Sequence, residues 1–469
     1  MEPVWVEQSR FDEGHDIVEA KWVPNGRHVV IVRYAAPLAE TDDEDEVKRV
    51  VQVCDVEDRA TLWSRVCGRS SPAASPDGRF LAHEDRGLHV LVRDIVTAKV
   101  IREVDYSRYG GRIHQITWNQ TSTQIAVEFI DASIKTHIVD TRSGQELMRS
   151  SSGRFLGWGP KGEYLAFRYS DEIVVVDAES FRVVDRTSGE WPQFSWSPDG
   201  RLALISDYEA QEIHVVNLGY LHASFSTSLK AGFTRWSPDS SRVLICQSET
   251  VSSREPRTYC VLNVTTGEVT QLLESTGPDD GSGEFGTLGM NWSPDSRRVS
   301  LVEYSHIVDS ETFESRDRVV LLDPRGKGPY EVIPDSMAFS WSPDGDQGMA
   351  CSWNEGKHRG TVRRVDDSKP LLVIEGSSHE VWHEDVMTSY SSYATKYSPS
   401  LLFAIQDVGR TCLELWDPWK GCRIGSIPFT PDEEGHQQHS VFTTVVWSPD
   451  GTRLLIQRTA QRAEVWSRT

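Results

Sequence analysis

The chain lacks the marks of a secreted, membrane-spanning or nucleic-acid-binding protein. No run approaches the roughly 20 apolar residues that a membrane helix needs. The opening stretch MEPVWVEQSRFDEGHD has neither a basic region nor an apolar core, so no secretory signal is read there. Cysteine is sparse: seven residues, odd in number, scattered and without a CxxC pair. That pattern suits reduced thiols in a cytoplasmic protein better than a disulfide framework, and it leaves the sequons at Asn119 and Asn263 without consequence. Basic patches are missing as well. Lys and Arg total 49 against 70 Asp and Glu, a formal net charge of −21. Such a field repels phosphate backbones and anionic lipid, so neither nucleic acid nor membrane is expected as a partner. The densest charge run, Glu40 to Glu46, is acidic and reads either as a solvated loop tip or as a dock for a basic partner.

Catalytic signatures are equally thin. There is no GxSxG elbow and no stretch long enough to supply an α/β-hydrolase domain. Gly281, Gly283 and Gly286 match GxGxxG, but the flanking sequence reads as a flexible loop entering a strand rather than a strand entering a helix. His379, Glu380 and His383 match HExxH, in which two histidines one helical turn apart hold zinc and the glutamate activates water. No helical segment with a third ligand follows. The expectation is therefore no enzyme, no cofactor and no metal, with zinc at His379, Glu380 and His383 kept as the alternative.

What the sequence does have is tryptophan, 16 copies, and half of them mark a repeat. A short string recurs with its lead residue at Trp22, Ala74, Trp118, Trp158, Trp196, Trp236, Trp292, Trp341, Tyr397 and Trp447, as in "SWSPDG" and "RWSPDS". The aromatic ends a strand and packs inward. Ser and Pro open a turn, Asp bonds the nearby backbone, and Gly or Ser accepts the exit dihedrals. A second string follows in each repeat, an apolar pair and then Asp, Asn or Ser: Asp55, Asp94, Asp140, Asp177, Asn217, Asn263, Asp323, Asp366, Asp417 and Ser467. Together the two strings define four strands per repeat, a to d. The aromatic string closes a–b and the Asp opens c–d.

These strings resemble the WD40 family and its relatives with the WSPDG turn, including TolB-like propellers. Trp416-Asp417 is the family's namesake dipeptide, and Gly14-His15 and Gly435-His436 resemble its entry to strand a. The resemblance covers residues 1–469 and implies an all-β fold: a β-propeller of about ten four-stranded blades. Most copies lack the Gly-His pair and the Trp of Trp-Asp, so the family's buried hydrogen-bond tetrad is mostly missing and blades are expected to hold by packing alone. The last repeat ends at strand c. Val4, Trp5 and Val6 would supply its missing strand and close the array, which favours one wide ring over two smaller rings.

Insertions fall unevenly. Aromatic-to-Asp spacings of 33, 27 and 31 residues at the first, sixth and seventh repeats lengthen the b–c connections. Spacings of 31, 30 and 29 residues after Asp366, Asp417 and Asn263 lengthen d–a connections. In an antiparallel four-stranded blade these emerge at the same end, and long loops on a rigid scaffold carry recognition. The expected function is a non-catalytic scaffold binding a protein or peptide through that face. Trp382, Tyr390 and Tyr393 are its first anchor candidates, and Tyr304 and Phe313, beside His306, come second. The same aromatics could instead pack the bases of their own loops. The resemblance also admits a TolB-like periplasmic accessory protein, against which the missing signal sequence counts.

Overall fold

The computed structural model describes residues 3–8, 17–34, 49–85, 88–188, 193–207, 210–218, 225–247, 252–253, 256–275, 283–308, 313–315, 317–326, 328–342, 344–354, 357–365, 367, 369–377, 403–406, 412–417, 422–428, 442–458 and 462–467. Among them there is no α-helix, and one 3-10 turn spans Ser107–Tyr109. The strands form ten antiparallel sheets, eight of four strands, one of six and one of three. We number them as blades 1 to 10 in repeat order. Blade 1 shows the plan: Ile17–Trp22, His28–Tyr34, Arg49–Asp55 and Ala60–Cys67 pair in sequence as a, b, c and d. Blade 9 shows strands b to d, Phe403–Gln406, Cys412–Asp417 and Cys422–Pro428; its Tyr397 turn lies outside the described residues.

The expected closing strand is present. Pro3–Gln8 pairs antiparallel with Arg462–Ser467 as the fourth strand of blade 10. Without it, the last strand would expose a row of unpaired backbone groups.

The chain divides into two compact units. The first holds residues 1–188 and 434–469, and the second holds residues 189–433. Within each, blades pack face to face, and this accounts for the sequence of strands b and c. In His28–Tyr34, Val29 and Ile31 pack with Leu455 and Val465 of blade 10, whereas Val30 and Val32 pack with Leu81 and Ile95 of blade 2. Successive side chains leave a strand on opposite sides. A strand buried on both sides is therefore a continuous apolar run rather than an alternating one. Blade 6 repeats this: Val243 and Ile245 face blade 5, and Leu244 and Cys246 face blade 7. Strand d is the outer one and alternates instead, as in Val100–Asp105.

The recurring turn is a closed hydrogen-bond unit. Ser237 Oγ donates to Asp239 Oδ1 at 2.6 Å and accepts the Arg242 amide at 2.9 Å. Asp239 Oδ1 also accepts the Ser241 amide at 3.0 Å. Ser240 sits at φ +62°, the left-handed region that Gly200 occupies in the preceding copy. The Asp ending strand c acts similarly: Asp140 Oδ1 accepts the Arg142 and Ser143 amides. Partial burial opposes ionisation of Asp140, but those hydrogen bonds prevail and hold it below its ordinary value.

Neighbouring blades do not hold by packing alone, and this corrects the expectation drawn from the missing tetrad. Trp22 Nε1 donates to the Val446 carbonyl at 3.1 Å, Trp118 Nε1 to that of Ala73 at 2.8 Å and Trp292 Nε1 to that of Arg235 at 3.0 Å. Each acceptor immediately precedes the lead position of the preceding repeat. The turns bond too: the Asp77, Asp199 and Asp239 amides donate to Ser122, Ser240 and Ser296 of the next blade, each at 3.0 Å. An indole N–H taken out of water needs an acceptor, and the neighbouring strand supplies one. Trp158, Trp196 and Trp447 are exceptions, for their Nε1 atoms are buried without partners, as is the Thr117 hydroxyl.

Candidate interaction face

The end of the blades bearing b–c and d–a connections is built most elaborately in blade 7. Its strands a and b, Gly283–Trp292 and Val299–Val308, are each ten residues long. Two short strands join them. Ser252–Ser253, from the b–c connection of blade 6, pairs with Phe285 and Gly286. Phe313–Ser315, from blade 7's own b–c connection, pairs with His306 to Val308. The insertions read as loops are thus partly strand. Gly283 and Gly286 of the GxGxxG match lie within strand a, paired with Ile307 and Tyr304. A flexible loop at 281–286 is therefore corrected for Gly283 to Gly286. The β-prone run Tyr304 to Val308 offers them a ladder that local glycine content did not reveal.

Tyr304 is partly exposed on strand b, opposite Gly286, and His306 stands opposite Glu284. Phe313 opens the short strand, opposite Val308. Trp382, Tyr390 and Tyr393 lie outside the described residues, as do His379, Glu380 and His383. Among the described residues no group of three or more His, Cys, Asp or Glu side chains could hold a metal.

Below Tyr304 lies a buried polar cluster that sequence reading missed. Thr287 Oγ1 accepts from Arg257 Nη1 at 3.0 Å and shares a hydrogen bond with the Tyr259 hydroxyl. Arg318 Nε donates to Glu303 Oε2 at 2.9 Å, and its Nη2 reaches Ser275 Oγ at 3.3 Å. Arg257 is fully buried, and burial pushes the Tyr259 phenol well above its usual range. The cluster joins strand c of blade 6 to strands a, b and c of blade 7. It lies beside the extended strands, with Arg318 as its exposed member.

A second cluster lies at the same end of blade 3 in the first unit. His137 on strand c is buried between the Tyr106 hydroxyl, 2.9 Å from Nδ1, and Glu146, 2.9 Å from Nε2. Nδ1 shares a hydrogen bond with the Tyr106 hydroxyl, whereas Nε2 is close to the Glu146 carboxylate without the alignment of a hydrogen bond. Burial lowers the His137 pKa despite the pull of Glu146, and the contact with His137 in turn lowers that of Glu146. Tyr-His-Glu is a constellation that enzymes use. Here Tyr106 has no exposed surface, so no substrate reaches its oxygen. It ties the connection after blade 2 to blade 3. A histidine inside the apolar strand "THIVD" is the one signal that could have pointed to it.

No protein-family model matches the sequence, and no curated protein matches it either. Solved structures are similar in fold. A crystal structure of the eukaryotic initiation factor aligns with a TM-score of 0.53 at 11% identity, covering 81% of this chain and 93% of that one. The C-terminal WD40 domain of Sif2 aligns at 0.42 and 10% identity, over 99% and 98% of the two chains. The Cps50 (Swd1) β-propeller domain of Myceliophteria thermophila aligns at 0.31 and 12%, over 61% and 95%. Of the three, the initiation-factor alignment carries weight, and at 11% identity its likeness is one of fold and of nothing further.

Proposed function

We propose that this WD40-like propeller chain is a non-catalytic scaffold that binds a protein or peptide through the end of its blades bearing the long b–c and d–a connections. The observation that carries the reading is blade 7. There the inserted residues extend the blade into added strands beside a buried polar cluster, a mount of the kind recognition surfaces use. The net charge of −21 suits a partner that is neutral or basic where it makes contact. Trp382, Tyr390, Tyr393, Tyr304 and Phe313 are the proposed anchors. Neither the zinc reading at His379, Glu380 and His383 nor the periplasmic accessory reading has an observation in its favour. Among the described residues, no helix is long and apolar enough to cross a membrane.

The test is an affinity capture from native lysate with the full chain, followed by quantitation of the captured partner. One variant carries Trp382→Ala, Tyr390→Ala and Tyr393→Ala; another carries Tyr304→Ala and Phe313→Ala. Both are first shown to match the wild-type circular dichroism and melting. A stoichiometric partner lost from either variant supports the reading. A partner kept by both removes this face, and one zinc per chain, lost in His379→Ala, would shift the assignment to metal chemistry.

A further inference from the structure

Beside the buried Tyr-His-Glu cluster, on the same end of blade 3, stands an exposed group of opposite character. Tyr109 closes the 3-10 turn Ser107–Tyr109, and its backbone is pinned on both sides. Its amide donates to the Tyr106 carbonyl at 2.9 Å, and its own carbonyl accepts the Ser133 amide at 3.1 Å and the Ser133 hydroxyl at 3.2 Å. Two guanidinium groups converge on the ring. Arg108 lies 4.6 Å from its centroid and Arg149 5.8 Å. Both donate to the phenol oxygen, from Arg108 Nη2 at 2.6 Å and Arg149 Nη1 at 3.0 Å.

The hydrogen-bond count then decides what this group can accept. A phenol oxygen has two acceptor positions and one proton to donate. The two guanidinium groups occupy both acceptor positions, so the hydroxyl can act outward only as a donor. Each guanidinium keeps further N–H donors and has no acceptor. Among the described residues Arg108 makes no salt bridge, and Arg149 meets only Glu146, 3.6 Å from its Nε. Glu146 is already engaged by His137 at 2.9 Å. One phenol O–H and two guanidinium groups thus present their donors together, on a turn fixed by three backbone contacts.

We infer that Arg108, Tyr109 and Arg149 form a binding site for a single oxyanion, a carboxylate or phosphoryl group, carried by an otherwise neutral or basic peptide segment of a partner. The inference rests on the interaction-platform reading and adds the chemistry of one contact. A net charge of −21 repels polyanions, so nucleic acid and anionic vesicles are opposed by the whole chain. Within a Debye length of about 8 Å the carboxylates that reach the pair are Glu146, beside both arginines, and Asp105, beside Arg108, so what the site offers an anion is its converging donors. Guanidinium groups are also the side chains best matched to carboxylate and phosphoryl oxygens.

The experiment uses the full chain and three neutral five-residue peptides, with serine, glutamate or phosphoserine at the centre, titrated by calorimetry. The glutamate or the phosphoserine peptide binds saturably, at least about tenfold more tightly than the serine peptide, and which of the two binds identifies the anion. Arg108→Gln and Arg149→Gln each weaken that binding about tenfold. Tyr109→Phe keeps the ring and its stacked cations but also weakens it. Arg201→Gln, an exposed position in the second unit, has the same effect on net charge and leaves binding unchanged. Equal binding of all three peptides, no binding of any, or an Arg201→Gln effect as large as that of Arg149→Gln overturns the inference. Binding of phosphatidylserine vesicles with no peptide binding overturns it too. A lysate partner lost from the face variants while the peptides fail would sink this site alone and spare the platform reading.

Discussion

The indole Nε1 of Trp22 donates to the carbonyl of Val446 at 3.1 Å, which joins the first repeat to the last across 424 positions of sequence. Around that bond Ile17, Ala20, Val29 and Ile31 of blade 1 pack with Leu455, Ala463 and Val465 of blade 10. Trp22→Phe keeps the apolar ring and removes the donor. It should lower stability by about 1 kcal/mol, the net worth of one such bond, read as a shift in the urea midpoint with the slope unchanged. An unshifted midpoint would mean that water replaces the Val446 contact at no cost.

Removing residues 1–8 takes the fourth strand from blade 10. The backbone of Arg462–Ser467 then becomes an open sheet edge. Hydrogen exchange should show faster exchange at Arg462–Ser467 than in the full chain, while Thr136–Asp140 in blade 3 keeps its protection. Uniform protection across the two chains would show that the added strand does not hold the edge.

Gly348 is tightly enclosed. A Cβ there would lie 2.1 Å from the Phe339 ring, which is buried against Trp341 in a T-shaped pair with centroids 5.0 Å apart. Gly348→Ala should cost about 1–3 kcal/mol through overpacking. Adding Phe339→Leu should recover part of the loss, because it withdraws the ring edge. A thermal melt of single and double variants decides this, and an additive double variant counts against the clash.

Acid should unfold the chain in two stages. His28, His83 and His137 have pKa values lowered from 6.5, in each case chiefly by burial. The unfolded chain takes up these protons first. Their contribution is therefore complete above about 6.5 and declines as pH falls from there towards their folded values, by at most about 1.4 kcal/mol per pH unit for each group. Asp55, Asp140, Asp177 and Asp239 are held below 3.8 by turn hydrogen bonds that outweigh their burial. Their contribution is present above 3.8 and is lost below it as pH falls through their folded values. Chemical denaturation from pH 8 to 3 should show both declines, and His83→Gln should flatten the first. A stability that stays flat between pH 7 and 5 would contradict the histidine assignment.

The repeat strings were legible because each part does local chemistry. Ser237 and Asp239 close their own turn, and Asp140 caps the next one, whatever lies around them. Strands b and c were legible from continuous apolar runs such as Val29 to Val32. Less legible was blade 7, where Gly283 and Gly286 look like a loop until Tyr304 and Ile307 are placed opposite them. Strand a of several blades also carries an extra residue four positions before the tryptophan, as at Val18, His114, Leu288 and Met337. No composition rule announces such a bulge, because it is a property of the pairing between two strands.

The sequence by itself determined the all-β repeat, the ten turns, the b–c and d–a ends where insertions gather, and the pairing of Pro3–Gln8 with the last blade. The first three follow from contacts within a turn and from the spacing of the repeat, which are short-range; the last follows from a final repeat that lacks its fourth strand. Only the tertiary structure decided which polar groups meet. Thr287 receives Arg257 from another blade, His137 receives Tyr106, and Arg108 and Arg149 meet on Tyr109 across 40 positions. Those meetings depend on how one sheet is set against the next, and the order of residues along the chain does not encode that angle or distance locally.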